Sequence, residues 1–211
     1  MINSELLELE WQNFAPSCER NKVPLLEVLS ELSLAEQRVL ELGSLSGQHA
    51  CFMAPKLAVK EWQTSDLAYN LPPLTANIER HGRTLNQAMF PKPLALEVGE
   101  SSHWPTAHYD VIFTANTLHI MSWQSVQQLF KHLPQVCKPG TRFMVYGPFK
   151  CGGDYTSESN AEFEIWLKER NSQSGIRDFE AVDELASNIG FTLKQNIDMP
   201  ANNQLLVWEF N

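Results

Sequence analysis

The chain has 211 residues, 16 basic against 25 acidic side chains for a net charge of −9, and a hydrophobic share of 43% that includes six Trp and eleven Phe. That length suits one sizeable α/β domain with additions, and the composition excludes wholesale disorder. The negative balance argues against a broad phosphate-backbone footprint, and hence against a nucleic-acid partner.

The opening residues Met1-Ile2-Asn3-Ser4-Glu5-Leu6-Leu7-Glu8 lack the basic and long apolar regions of an export signal. No segment reaches about 18 apolar residues, so a cytoplasmic protein with no membrane span is expected. In chain order, a helix is predicted near 23–34, where Leu25, Leu26, Val28, Leu29 and Leu32 form a helical stripe. A first strand covers 37–42, and the helix after it ends near Pro55. A second strand, Glu61 to Ser65, stops at Asp66. The Pro-start and Gly-stop rule then gives a helix from Pro72-Pro73 to about Gly82. The third strand is Pro93 to Glu97. The segment 99–108 is too short and too rich in Ser, His, Trp and Pro for a full crossover helix. The fourth strand, Tyr109 to Ala115, reads as fully buried. A helix from Gln124 to Cys137 ends at Lys138-Pro139-Gly140, which feeds a fifth strand over 141–146. Helices near 158–170 and 178–189 precede a strand pair, Phe191 to Ile197 and Gln204 to Phe210.

This alternation predicts an α/β fold with a mostly parallel seven-stranded sheet, an antiparallel C-terminal hairpin at one edge, and helices on both faces. The terminal hairpin suits a Rossmann-like methyltransferase arrangement better than a dehydrogenase one. In either, ligands are expected at the carboxyl ends of the strands. Residues 1–22 are read as an N-terminal segment able to act as a lid, and 23–211 as a single domain.

The most informative stretch is Val39-Leu40-Glu41-Leu42-Gly43-Ser44-Leu45-Ser46-Gly47, a strand, an acidic residue and a small-residue loop running into Gln48-His49-Ala50-Cys51. A strand, a tight turn and a helix start make a nucleotide-type site. Glu41 selects the ligand. A carboxylate repels a pyrophosphate, whereas it can help hold the cationic amino group and sulfonium of S-adenosylmethionine, the expected cofactor. Leu45 stands where such loops carry their central glycine. If that position needs a left-handed backbone, leucine costs about 1–2 kcal/mol there.

Other polar residues fall at predicted strand ends. Asp66, roughly 20 residues past the loop, suits two ribose hydroxyls; its alternative role is a turn or cap aspartate. Glu97 can accept from an adenine amine and the Val98 amide can donate to a ring nitrogen. Asn116 and His119 follow the fourth strand. With Tyr146 they are the candidates near the methyl group, and Asn116 is also a candidate cofactor contact. His119 has the ordinary pKa of a general base, although a structural histidine fits the same position. No metal site is expected: the four cysteines form no Cys-x-x-Cys pair, and the histidines stand in no His-x-x-x-His or His-Glu-x-x-His pattern. No Gly-x-Ser-x-Gly elbow or Walker-type lysine loop supports acyl hydrolysis or P-loop phosphoryl transfer.

Several segments form a distinctive set: Phe14-Ala15-Pro16-Ser17-Cys18-Glu19-Arg20-Asn21-Lys22, Gly47-Gln48-His49-Ala50, Trp62-Gln63-Thr64-Ser65-Asp66 and Tyr146-Gly147-Pro148-Phe149. Ser159-Asn160-Ala161-Glu162-Phe163, Gly175-Ile176-Arg177-Asp178 and Met199-Pro200-Ala201-Asn202-Asn203 complete it. Over about residues 14 to 210 the chain resembles a family of S-adenosylmethionine-dependent methyltransferase-like proteins of unassigned substrate, found in bacteria and animals. The family loop reads Gly-Ser-Gly-Thr-Gly where this chain has Leu45, which bears on cofactor affinity, and an aspartate typical after strand three is Glu97 here. The resemblance draws attention to Glu19, Arg20 and Asn21 as lid residues, with Arg20 pairing the cofactor's carboxylate. It also draws attention to Asn160, Arg177, Asn202 and Asn203 on the acceptor side. Their alternative roles are a helix-start cap and salt bridge for Arg177-Asp178 and turn chemistry for Asn202-Asn203. The expectation is a methyltransferase for a small or medium polar acceptor. The competing readings are a methyltransferase fold retained as a non-catalytic binding module and, more weakly, a dinucleotide-dependent oxidoreductase.

Overall fold

The structure, a computed structural model, describes residues 10–211; residues 1–9 of the expected N-terminal segment lie outside the described residues. The chain forms two compact units, one up to Glu97 and one from Val98 to Asn211.

In the first unit, helix α1 spans Pro16–Glu31 and starts seven residues before the predicted position 23. Pro16 is the proline at the helix start, where a missing N–H costs nothing, and Pro24 lies inside the helix. The buried face, Asn21, Leu25 and Leu29, repeats every four residues. Its first member is polar, which is why an apolar stripe alone placed the start too late. Glu19, Arg20 and Asn21 therefore lie on the helix and not in a segment preceding it.

Strand β1, Arg38–Leu42, pairs in parallel with β2, Glu61–Asp66, in the register Arg38↔Glu61 to Leu42↔Ser65. The first unit also contains the short helix α2, Gln48–Met53, and helix α3, Leu71–Asn77, with a π-helical turn continuing to Arg83. Strand β3 is only Leu94–Ala95, so Glu97 and Val98 lie past its end.

Gly47 shows how closely these parts pack. A Cβ there would stand 3.0 Å from Ile78 Cδ1 and 3.1 Å from Leu74 Cδ1, and its φ of +76° already disfavours a side chain. Gly47→Ala is expected to destabilise the fold by about 1–3 kcal/mol, read as a lower denaturation midpoint. Gly99→Ala, where a Cβ meets nothing within 4 Å, is the matched control and leaves the midpoint unchanged.

In the second unit, β4, Val111–Ala115, pairs in parallel with β5, Arg142–Gly147. Helix α4, Trp123–His132, is capped by Ser122 Oγ, which accepts from Ser125 N; it stops short of the predicted Cys137 and continues as a 3-10 turn, Leu133–Val136, around Pro134. Helix α5, Glu158–Arg170, falls where the sequence placed it, capped by Ser157. Helix α6 is Phe179–Asn188. The terminal hairpin is β9, Phe191–Met199, and β10, Asn203–Phe210, and β10 is antiparallel to β5 as well. Its link is cut to Pro200-Ala201-Asn202, with Ala201 and Asn202 left-handed at φ 58° and 56°. Within this unit's core, Phe143 stacks on Trp208 and meets Phe130 edge to face.

The seven long-sheet strands run in the order β3-β2-β1-β4-β5-β10-β9, the mostly parallel sheet with an antiparallel hairpin that the alternation predicts. A second, three-stranded sheet is absent from the sequence reading. It consists of β7, Asp154–Tyr155, β6, Phe149–Cys151, and β8, Arg177–Asp178, in that order. It takes Arg177-Asp178 into a strand, so helix α6 begins only at Phe179. Among the described residues, no helix is long and apolar enough to cross a membrane.

Candidate functional site

In the first unit, the chain leaves β1 through three left-handed residues, Gly43 (φ 71°), Leu45 (φ 48°) and Gly47 (φ 76°). Leu45 therefore does occupy the conformation that disfavours a leucine by about 1–2 kcal/mol. Its N–H donates to Asp66 Oδ2 at 2.7 Å. Ser44 N donates to Ser65 O (2.9 Å) and Gly47 N to Ser44 O (2.8 Å). The amides of Ser44, Leu45 and Gly47 are thus all engaged within the protein, which is the opposite of a phosphate cradle.

Asp66, 7% exposed at the end of β2, also accepts from Leu67 N (2.7 Å) and Asn70 Nδ2 (2.9 Å) on Oδ1. Three of the roughly four lone-pair positions of a carboxylate are taken, so one position remains for a ligand hydroxyl. Asp66 works as a turn residue and as the anchor of the loop together. Gly43 is exposed at the strand end, while Ser44 is buried.

Glu41 departs from its expected role. It is 2% exposed, and Oε2 accepts from Ser44 Oγ (2.9 Å) and Trp62 Nε1 (3.1 Å). Its carboxyl is pushed up to about 7, first by burial and then by Asp66, against the two hydrogen bonds that lower it. Glu41 holds the loop from beneath instead of facing outward. His49 Nδ1 lies 4.0 Å from Glu41 Oε1, and His49 Nε2 shares a 2.7 Å hydrogen bond with Asn21 Oδ1. Burial, and then Lys22, lower His49 to about 4. The imidazole is neutral above that pH, so the pair is not an ion pair at neutrality.

A polar lattice ties α1 to the loop. Gln48 Oε1 accepts from Ala15 N (2.8 Å) and Ser46 Oγ (2.8 Å), and Gln48 Nε2 donates to Glu19 Oε2 (3.2 Å). Asn77 Nδ2 donates to Ser46 O (2.9 Å) and Gln12 O (2.8 Å). Gln48, His49, Asn77 and Trp62 are missed as functional candidates by sequence reasoning. The only signal was that Gly47-Gln48-His49-Ala50 and Glu19-Arg20-Asn21 both belong to the distinctive segments; the structure joins them. Glu19 is also ion-paired with Lys22, while Arg20 is exposed and forms no ion pair among the described residues. Glu97 is exposed past β3. A separate open groove of about 190 Å³ is lined by Trp11, Glu19, Lys22, Phe52, Lys56 and His81 among others, and holds none of loop 43–47.

In the second unit, Val98 O accepts from Trp104 Nε1 at 3.2 Å. Asn116 directly follows β4 with φ 59°, and its N–H donates to Tyr146 O at 2.9 Å. Tyr146 is 4% exposed in β5. His119 is buried against the edge of Phe163, with ring centroids 5.4 Å apart. Burial, then Arg177, lower its pKa to about 4, so it is a neutral imidazole at pH 7.

The remaining candidates serve the architecture. Arg177 donates from Nε to Leu118 O (2.9 Å) and from a terminal nitrogen to Met121 O and Gln173 O. It clamps the 118–121 loop, and Gly175 N bonds His119 O at 2.9 Å. The alternative of an Arg177–Asp178 salt bridge is not what forms: Asp178 Oδ2 accepts from Gly153 N at 2.7 Å. Asn160 Nδ2 donates to Thr156 Oγ1 (2.9 Å) and Asn202 O (3.0 Å). Asn202 Nδ2 reaches Ser159 Oγ (3.1 Å), and Asn203 Nδ2 bonds Pro200 O (3.0 Å). Asn160 and Asn202 knit the hairpin turn to α5, and Asn203 braces the turn itself. Burial pushes the thiols of Cys18, Cys51 and Cys137 up to about 12, so none is a thiolate nucleophile at neutral pH. Among the described residues, no group of three or more His, Cys, Asp or Glu is placed to hold a metal ion.

The buried histidines give the fold a definite acid response. Unfolded imidazole takes a proton near 6.5, whereas His49 and His119 stay neutral in the folded chain down to about 4. Their contribution is intact above 6.5 and is lost as pH falls from 6.5 towards 4. His49→Gln is expected to lose less stability between pH 7 and pH 5 than the natural chain in urea melts. An unchanged loss contradicts the assignment.

A parallel sheet with this strand order, closed by an antiparallel hairpin and carrying a left-handed loop after β1, defines the Rossmann-like methyltransferase fold. The chain belongs to the family described as "Protein of unknown function (DUF938)", whose model matches residues 12–210. Solved structures of the same fold include an O-methyltransferase family protein from Burkholderia thailandensis (TM-score 0.76, 15% identity, 92% of this chain and 57% of that one). Human N-acetylserotonin methyltransferase in complex with SAM is similar at TM-score 0.74 and 15% identity, over 92% of this chain and 53% of that one. PigF with SAH is similar at TM-score 0.73 and 15% identity, over 88% and 55%. The chain spans a little over half the length of these proteins.

Proposed function

We propose that this protein is an S-adenosylmethionine-dependent methyltransferase acting on a small polar acceptor. The observation that supports this reading is the state of loop 43–47: three left-handed residues follow β1, and the amides of Ser44, Leu45 and Gly47 are already bonded inside the protein. A pyrophosphate needs such amides free. S-adenosylmethionine carries no pyrophosphate, and Arg20 is available to its one carboxylate, so the engaged amides favour it over a dinucleotide.

The residues fit the cofactor unevenly. Gly43 offers exposed backbone at the strand end, and Asp66 has capacity for one further hydrogen bond. Glu97 and Val98, which follow β3, are the residues assigned to an adenine edge. Glu41, with Ser44, supports the loop from the interior and is not assigned a direct contact. Arg20 is exposed and available to the carboxylate of the methionine part. Bound S-adenosylmethionine would supply a methyl group activated by its sulfonium. The protein then has to align the acceptor, exclude water and receive a proton. His119 is the assigned proton acceptor, because its neutral ring has a nitrogen lone pair at pH 7. Its low basicity suits an acceptor whose O–H or N–H is itself acidic. Asn116 orients that acceptor, and Tyr146 fixes Asn116 through its backbone carbonyl. Arg177 positions His119 by holding the carbonyls of Leu118 and Met121.

Leu45 supports the second reading, a fold kept for partner binding without turnover, because its left-handed backbone puts a bulky side chain in the loop. Transfer of a labelled methyl group from S-adenosylmethionine into the small-molecule fraction of a cell extract separates the two. The enzyme reading expects labelled product, and a fall of at least about 100-fold in His119→Ala with cofactor affinity unchanged. Binding of the cofactor with no labelled product contradicts it.

A further inference from the structure

The open groove of the first unit has no part in the cofactor assignment. Its lining includes Glu19 and Lys22 of α1, Phe52 of α2, Lys56 just beyond it, Trp11, and His81 of the π-helical turn Ile78–Arg83. A π-helical turn is rare and falls mostly at functional sites. This one brings His81 onto Trp11, and the two rings stack with centroids 4.1 Å apart and 14° between their planes. His81 Nε2 also shares a 3.2 Å hydrogen bond with Glu10 O, which steadies the ring in that stack.

The same lining gathers positive charge in a chain whose net charge is −9. Lys22 and Lys56 both hold their ammonium groups over one ring, Phe52, at 4.7 and 4.0 Å from its centroid. The ring attracts each of them, but the two like charges repel one another. Lys22 has a carboxylate partner in Glu19. Lys56 donates to Phe52 O, four residues back, at 3.0 Å, and has no ion pair among the described residues. An ammonium carries three donors, so Lys56 keeps two for a ligand.

The acceptors of the lining are already engaged. Glu19 Oε1 is paired with Lys22, and Oε2 accepts from Gln48 Nε2 at 3.2 Å. Gln48 Oε1 accepts from Ala15 N and Ser46 Oγ, both at 2.8 Å. The Cys51 thiol, pushed up to about 12 by burial, stays protonated and uncharged. A cationic ligand therefore finds both oxygens of Glu19 occupied, whereas an anion finds an uncompensated ammonium. Size narrows the class further. The groove's volume of about 190 Å³ lies below the roughly 300–1,000 Å³ of sites for drug-sized ligands, which suits one ring with one charged group. Trp11, Phe52 and His81 supply that ring with aromatic neighbours.

We propose that this groove is a binding site for a small aromatic monocarboxylate, with the carboxylate held by Lys56 and the ring packed among Trp11, Phe52 and His81. The bound anion also offsets the repulsion between Lys22 and Lys56. The site does not rest on the methyltransferase reading, because the groove includes none of loop 43–47.

The test uses the natural protein labelled with 15N at low ionic strength and follows its backbone amide signals in NMR titrations. The probes are benzoate, benzamide and cyclohexanecarboxylate. Benzoate is expected to give saturable shifts centred on Phe52, Lys56 and His81. Benzamide keeps the ring without the charge and is expected to bind at least about fivefold more weakly. Cyclohexanecarboxylate keeps the charge without the aromatic ring and is expected to bind at least about threefold more weakly. Lys56→Met should weaken benzoate at least about fivefold and leave benzamide unchanged. Lys56→Arg, which keeps the positive charge, should retain benzoate binding. Lys56 is exposed, so neither substitution disturbs the core. No saturable shift at these residues, equal binding of benzoate and either comparison probe, or indifference to Lys56→Met overturns the site.

Discussion

Replacing Glu41 with alanine lowers the melting temperature by about 5–12 °C. The carboxyl is 2% exposed and serves as the acceptor for both Ser44 Oγ and Trp62 Nε1. Its removal leaves two buried donors without a partner and a cavity under the loop. The expected loss is about 2–4 kcal/mol, and a chain of this size shifts by about 2–4 °C per kcal/mol. Glu41→Gln separates the hydrogen bonds from the charge, since an amide oxygen can still accept from both donors. The sign follows from the carboxyl's rise from 4.5 to about 7. Between those values the folded chain holds a proton that the unfolded chain releases, so stability from this group is full below 4.5 and is lost as pH rises through 7. Glu41→Gln is therefore expected to melt above the natural protein at pH 8 and to match it near pH 4.5. Melting curves at the two pH values check this, and an equal effect at both contradicts the buried, proton-binding carboxyl.

Asp66→Ala has the second large effect, on ligand binding. The substitution removes the acceptor of Leu45 N, Leu67 N and Asn70 Nδ2 together. Leu45 is held in its left-handed conformation against a cost of about 1–2 kcal/mol, and the bond to Asp66 is one of the restraints that keep it there. The loop is expected to relax, and affinity for S-adenosylhomocysteine to fall at least about 100-fold, equivalent to about 2.7 kcal/mol. Asp66→Asn keeps one acceptor oxygen and loses less. Unchanged affinity in Asp66→Ala contradicts the assignment of this loop to the cofactor.

Local signals carried most of the fold. Helix α5 matches its expected bounds, and the terminal hairpin forms where two apolar strands flank a proline-containing link, although each strand extends further into that link than expected. The strand, turn and helix of 38–53 are visible for the same reason, whereas the motif raises the left-handed state of Leu45 only as a condition that the backbone then meets. Features made by distant pairing were not visible. The three-stranded sheet joins residues 149–151 to 177–178, and two-residue strands leave no periodicity to read. Asn21 meets His49 across 28 positions and Glu41 meets Trp62 across 21, and sequence could not tell an outward carboxylate from a buried one.

Isothermal titration of the purified chain with S-adenosylhomocysteine, alongside Leu45→Gly and with NAD as the comparison ligand, tests the central assignment most directly. The assignment expects saturable one-site binding in the micromolar range, equal or tighter binding by Leu45→Gly, and no heat with NAD. No binding at millimolar concentration by either the natural chain or Leu45→Gly, or saturable binding of NAD, contradicts it.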